Sequence, residues 1–219
     1  MRNNFRIIVL LLIGNVCFSQ TDNGNTFREK YASNIKLSYN SSLIYPGMRV
    51  GLETPIKRIE LLKTNQSGFT KTIFKDRFLT ANLSFYHHQT FHDNVYLTLG
   101  YTFRRTKDKG FFTEFCPEIG YSRTFLGGTT YQVTDNGDVS IKKFAGQNYA
   151  LASIGFGLGY DFSKIKSKPF AVFYKFNVIT MFPYNNTLYV RPAMEVGIIY
   201  KPENFISFNT KVKKITKTK

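Results

Sequence analysis

The residues best placed to do chemistry are His87, His88 and His92 in "YHHQTFHDN", which holds every histidine of the chain. A neutral imidazole can bind a metal ion, or act as a general base beside a hydroxyl. As a metal site, His88 and His92 would be joined by Asp93. No zinc-type spacing is matched, so no metal is assigned and no cofactor is expected. As a hydrolytic site, His88 would be the base, Ser122 the nucleophile and Glu118 the acidic member. That arrangement requires base and nucleophile to reach each other. Cys116 faces a predicted interior with no histidine near it, and reads as a small packing residue. "DNGD" at 135–138 lacks the full calcium-loop signature and reads as a turn.

The segments flanking the histidines decide among these readings. "RFLTANLSFY" and "NVYLTLGYTFRR" alternate apolar and polar residues, the period of a strand with two unlike faces. Six further stretches do the same: "NIKLSYNSSL", "GMRVGLETPI", "FFTEFCPEIGYS", "SIGFGLGYDF", "VFYKFNVIT" and "LYVRPAMEVGIIY". Phe173 and Ile179 interrupt the pattern in the seventh of the eight. Pro117 and Pro192 fall inside strands and call for bulges there.

Charge separates the faces. The polar faces carry Lys36, Arg49, Arg104, Lys175 and Arg191 against Glu53, Glu114, Glu118, Asp161 and Glu195. Such balance is notable in a chain of net charge +16. A solvated face has no need of it, whereas an enclosed one does, because an unpaired buried charge costs several kcal/mol. Arg104 and Glu118 are expected to pair. The apolar faces carry almost no charge and place aromatics towards the strand ends, as a lipid-facing band does. A soluble β-sandwich is the competing arrangement, with those apolar faces turned inward. The length of the runs favours tilted membrane strands of ~9–11 residues.

Residues 1–19, "MRNNFRIIVLLLIGNVCFS", have the charged start, apolar run and small-residue end of a secretory signal peptide. Beyond it one cysteine is left, so no internal disulfide forms. Export excludes nucleic acid as a partner despite the basic charge. The expected organisation is a signal peptide (1–19), an N-terminal segment (20–31), a barrel (32–201) and a basic periplasmic tail (202–219).

Odd-numbered connections, including "HHQTFHDN" and the long stretch after Ser122, face outward on this reading. The even-numbered ones face the periplasm, among them an unusually long one from Pro55 to Lys71. "TYQVTDNGDVSIK" is expected to be a hairpin with Asn136-Gly137 as a type I′ turn. Lys142, Lys143 and Arg123 could meet lipopolysaccharide phosphates; the periplasmic lysines could meet anionic headgroups or an acidic partner.

The fold expected is all-β, an eight-stranded antiparallel up-and-down transmembrane β-barrel with a side-chain-filled interior. Over residues ~32–201 the chain resembles the small OmpA/OmpX-type barrels of Gram-negative outer membranes, and its leader end and Lys/Asn/Phe/Tyr-rich composition resemble Bacteroidota versions. The resemblance is architectural and rests on no motif. It implies a structural or interaction role in the outer membrane, with external loops binding a ligand or the barrel serving an envelope complex. Membrane lipids, lipopolysaccharide included, are the expected surroundings. Two alternatives are weighed against it. Some barrels of this kind modify lipid A, which would put chemistry at the rim near His87, His88 and His92. A narrow gated, porin-like channel would use the same luminal charges as a path.

Overall fold

The computed structural model describes residues 25–42, 45–64, 66, 69–134, 136–184, 187–203 and 205–218. The proposed signal peptide lies outside them. The strands are β1 (Asn25–Ala32), β2 (Asn34–Ser41), β3 (Gly47–Thr64), β4 (Thr70–His88), β5 (His92–Lys107), β6 (Phe111–Leu126), β7 (Tyr131–Val133), β8 (Val139–Ile141), β9 (Asn148–Asp161), β10 (Phe170–Tyr184), β11 (Thr187–Tyr200) and β12 (Ser207–Thr218).

Each of β2 to β6 and β9 to β11 pairs antiparallel with the next, and β11 pairs back onto β2. The fold is a closed eight-stranded antiparallel barrel. Closure removes the free edges that an open sheet would offer to other chains. Alternation sorts the side chains. On β5, Tyr96, Thr98, Thr102 and Arg104 are buried, while Leu97, Leu99, Tyr101 and Phe103 are exposed. The apolar face therefore points out and the polar face in, the reverse of a sandwich.

The interior is filled in three layers. At the end bearing the β4–β5 and β10–β11 connections (the loop end), Tyr86, Tyr96, Tyr149, Leu151, Ile179 and Met181 pack together. At the opposite, turn end, Phe112, Ala171, Phe173 and Ile199 do so. Ions lie between. Phe173 and Ile179, which break the alternation in the sequence, belong to these plugs.

No bulge accompanies either strand proline. Pro117 keeps register with β9, and β5–β6 merely omits two pairs between Gly100↔Glu118 and Phe103↔Phe115. Pro192 precedes the first β11–β2 pair, Met194↔Ser41, so its missing N–H costs no bond on that side. The register shifts lie instead at Pro55/Lys57 and Met181/Tyr184. The β7–β8 hairpin forms, but only Gly137 of the Asn-Gly pair takes positive φ, at 87°. A type I′ turn needs it at both, so the turn is of another kind.

The largest departure from the sequence reading is below the ring. Beyond the Pro55 shift, β3 and β4 continue as a paired ribbon to Thr64↔Thr70. β12 joins β3 in parallel from Lys211↔Lys57, and β1 adds antiparallel to β12. Thr210 Oγ1 donates to Pro55 O at 3.0 Å, and Ser33 N–H to Ile206 O at 3.0 Å, pinning the sheet to the barrel's turn end. The stretch expected as a connection and the one expected as a tail are strands of one extension. Val212 and Ile215 alternate with lysines there, so β12 buries one residue in two or three while remaining basic.

Candidate functional site

All ten residues expected to form a luminal charge network are buried. Eight of them form one unbroken series across the barrel. Lys36 meets Glu53 (3.4 Å), Glu53 meets Arg104 (2.8 Å), and Arg104 meets Glu114 (2.7 Å). Glu114 meets Lys175 (3.4 Å), which meets Glu195 (3.7 Å). Arg49 then bridges Glu195 (3.2 Å) and Glu118 (3.5 Å). Glycine lets these chains lie along the wall: a Cβ on Gly155 would be 2.9 Å from Lys175 Cδ, and one on Gly157 2.8 Å from Glu114 Cγ.

The expected Arg104–Glu118 pair does not form. In register Arg104 faces Glu114, whereas Glu118 faces Gly100. Glu118 instead accepts from Asn82 Nδ2 at 3.1 Å and Thr98 Oγ1 at 2.9 Å. Asp161 goes to Lys201 and to the backbone N–H of Ser163 at 3.1 Å. Four cations and four anions are thus matched, and a fifth anion finds a partner just past the last ring strand.

Arg191 is left over. It makes no ion pair among the described residues, and its Nε and Nη1 are buried without hydrogen-bond partners. Its guanidinium lies 3.9 Å from the Tyr86 ring centre and 5.9 Å from that of Tyr96. Cation–π contact supplies part of what a carboxylate would. Tyr86 also forms part of the wall of a cavity of about 490 Å³ at the loop end, together with Tyr45, His88, Phe91, His92, Tyr184 and Tyr189. Ligand pockets commonly have ~300–1,000 Å³.

The three histidines take different positions around this cup. His87 turns outward and is bonded through Nδ1 to Asp93 at 2.5 Å. The His88 ring sits 4.6 Å from Tyr45 and 4.9 Å from Phe91, with Nδ1 accepting from Thr90 N–H. His92 Nε2 is 3.3 Å from Tyr86 Oη. Burial, then the nearby charges of His88 and Arg191, hold His92 below the ordinary histidine range, while Asp93 opposes them. Among the described residues no group of three or more His, Cys, Asp or Glu is placed to hold a metal ion. The structure does not bring His88, Ser122 and Glu118 together. Ser122 Oγ exchanges hydrogen bonds with Asn94 across β5–β6, and Glu118 is engaged in the ion series. Cys116 is buried beside Thr102.

Sequence reasoning found the histidines and Arg191 but not the cup that joins them. Tyr45 and Tyr184 come from separate loop-end connections, "SSLIYPG" and "MFPYNN". An aromatic in each of several connections on one side was the available signal.

No protein-family model and no curated protein matches this chain. Among solved structures it is similar to Neisserial surface protein A, at 8% identity over 79% of this chain and 96% of that one, with a TM-score of 0.43. It is also similar to the N-terminal β-barrel domain of Pseudomonas aeruginosa OprF, at 15% identity over 78% and 100%, with a TM-score of 0.42. The barrel assignment rests on the closed ring of strands.

Proposed function

We propose that this chain is an outer-membrane β-barrel that binds a ring-bearing anion, such as an acidic saccharide, in its outward mouth, and that it is not an open pore. The observation that carries the binding role is Arg191, the one interior cation among the described residues left without a carboxylate, stacked on Tyr86 of the aromatic cup. Aromatic walls suit the flat face of a sugar or aryl ring. A buried cation without a counter-ion favours a ligand that brings one.

The membrane setting follows from the exterior. Between Val95 and Phe103 on β5 the outward positions hold no charged residue, and on the neighbouring strands β4 and β6 outward charge stands only at the two limits of that span, Arg77 opposite Phe103 and Arg123 opposite Val95. Ile119 is 72% exposed and Phe156 61%. So wide an apolar belt far exceeds the few hundred Å² tolerated on a soluble monomer. It matches the ~9–11-residue reach of a membrane strand. Export through the amino-terminal leader and an outer leaflet of lipopolysaccharide around the belt complete the reading. Three filled layers leave the lumen no room for diffusion.

The test is binding of glucuronate and of phenyl phosphate, against glucose and phenol, to the detergent-folded protein by calorimetry. The anions should bind at least about tenfold more tightly than their neutral counterparts, and Arg191→Met should abolish the difference while Arg191→Lys keeps part of it. Equal affinities for charged and neutral probes would exclude the anion-binding role.

A further inference from the structure

The extension below the barrel sorts its charges by face. Strand parity puts Glu29, Glu60 and Asp76 on the face continuous with the lumen. Each has a partner there. Tyr31 donates to Glu29, Lys214 lies 3.7 Å from Glu60, and Arg58 grips Asp76 through two bonds of 2.7 and 3.1 Å.

On the outward face, continuous with the apolar belt, every charged residue of the extension's described strands is a cation. In one cross-strand row Arg77, Lys57, Lys211 and Arg28 stand side by side on β4, β3, β12 and β1. The next row down carries Arg105, Lys75 and Lys213. No Asp or Glu occupies an outward position in the described strands of this extension. Such a row repels itself. Lys57 is held below the usual lysine range by desolvation and then by Arg77, Lys211 and Lys213.

Position says what the row meets. Arg77 follows Leu79 at the next outward position of β4, two residues or roughly 7 Å along the strand at ~3.3 Å per residue. The headgroup layer on each side of a bilayer core is roughly 5–8 Å deep. The first cation row therefore lies at headgroup depth, and the second just beneath it.

The geometry points to this outward basic face as a docking surface for anionic phospholipid headgroups of the leaflet facing the periplasm. This rests on the membrane-spanning reading. The surface would orient the barrel and gather acidic lipids around one side of it, since the extension occupies only the β4–β3–β12–β1 sector.

The chain has no tryptophan, so Thr26→Trp, on the exposed edge strand of the same face, gives a single fluorescent donor. The full chain carrying it is folded into phosphatidylcholine vesicles containing a trace of headgroup-dansylated lipid, either anionic or zwitterionic. Co-flotation and heat-sensitive gel migration first establish insertion, so failure there counts against the membrane reading and not this one. With insertion in hand, transfer to the anionic acceptor should be about threefold greater than to the zwitterionic one. It should fall to parity in 0.5 M salt, and in the quadruple variant Arg28→Gln, Lys57→Gln, Arg77→Gln, Lys211→Gln. Equal transfer to both acceptors, or a preference untouched by the quadruple variant, would overturn the proposal; the former would leave the face to a soluble acidic partner.

Discussion

Glu53 is shared by Lys36 and Arg104 and is fully buried. Glu53→Gln would leave two cations facing a neutral amide with no water to turn to. Loss of one member of a buried ion group costs about 3–5 kcal/mol, so the variant should unfold at a clearly lower temperature on a semi-native gel. Asp161→Asn should cost far less, because its partner Lys201 keeps some access to solvent. A drop as large as that of Glu53→Gln would contradict the idea that connectivity sets the penalty. His92 supplies a pH dependence. Its folded value lies below the unfolded one, so the folded mouth binds fewer protons, and stability falls as pH drops through the ordinary histidine value of about 6.5. A bound anion reverses the balance by stabilising the imidazolium. Affinity for glucuronate should therefore rise between pH 7.5 and 5.5, and that rise should be lost in His92→Gln. His88 and Arg191 both oppose protonation and Asp93 assists it, so His88→Gln should move the midpoint upward.

Among the elements, the ring strands were legible because a period of two is hard to imitate: each polar face collects Ser, Thr, Asn and paired ions while each apolar face does not. The ion partners were not legible, because they depend on register and on chains that cross the lumen. Arg104 reaches Glu53 two strands away as readily as Glu114 next door. The extension was missed because lysines fill the positions that elsewhere on the same face hold Leu or Phe, and a lysine-rich strand reads as a solvated tail. Its independence from the ring can be tested. The closing pairs run between β2 and β11, so a chain ending at Pro202 should still form a heat-modifiable barrel. β1 would lose β12, the strand it pairs with among the described residues. Trypsin should then cut at Arg28 or Lys30 in the truncated chain and much more slowly in the full one. Failure of the truncated chain to fold would show that the extension is required for closure.

For the whole molecule, the inversion of polarity has a sharp energetic signature. Ile119 is the most exposed apolar residue of the ring wall. In water, an arginine there would be close to neutral for stability. In a bilayer, Ile119→Arg at mid-depth should cost about 2–4 kcal/mol, readable as a shift of the urea midpoint in vesicles that is absent in the turn-end control Thr113→Arg. Equal effects at both sites would argue against a lipid-facing belt. The ion series has a further consequence at this scale. Ser38 on the first ring strand hydrogen-bonds Glu195 on the last at 2.9 Å, across 157 residues of chain, and Lys36 and Glu195 enter the same line of charges. Any intermediate lacking one stave would enclose ions with no counterpart. Assembly should therefore be concerted, with half-built barrels too costly to accumulate, and every wall strand arriving before any is committed.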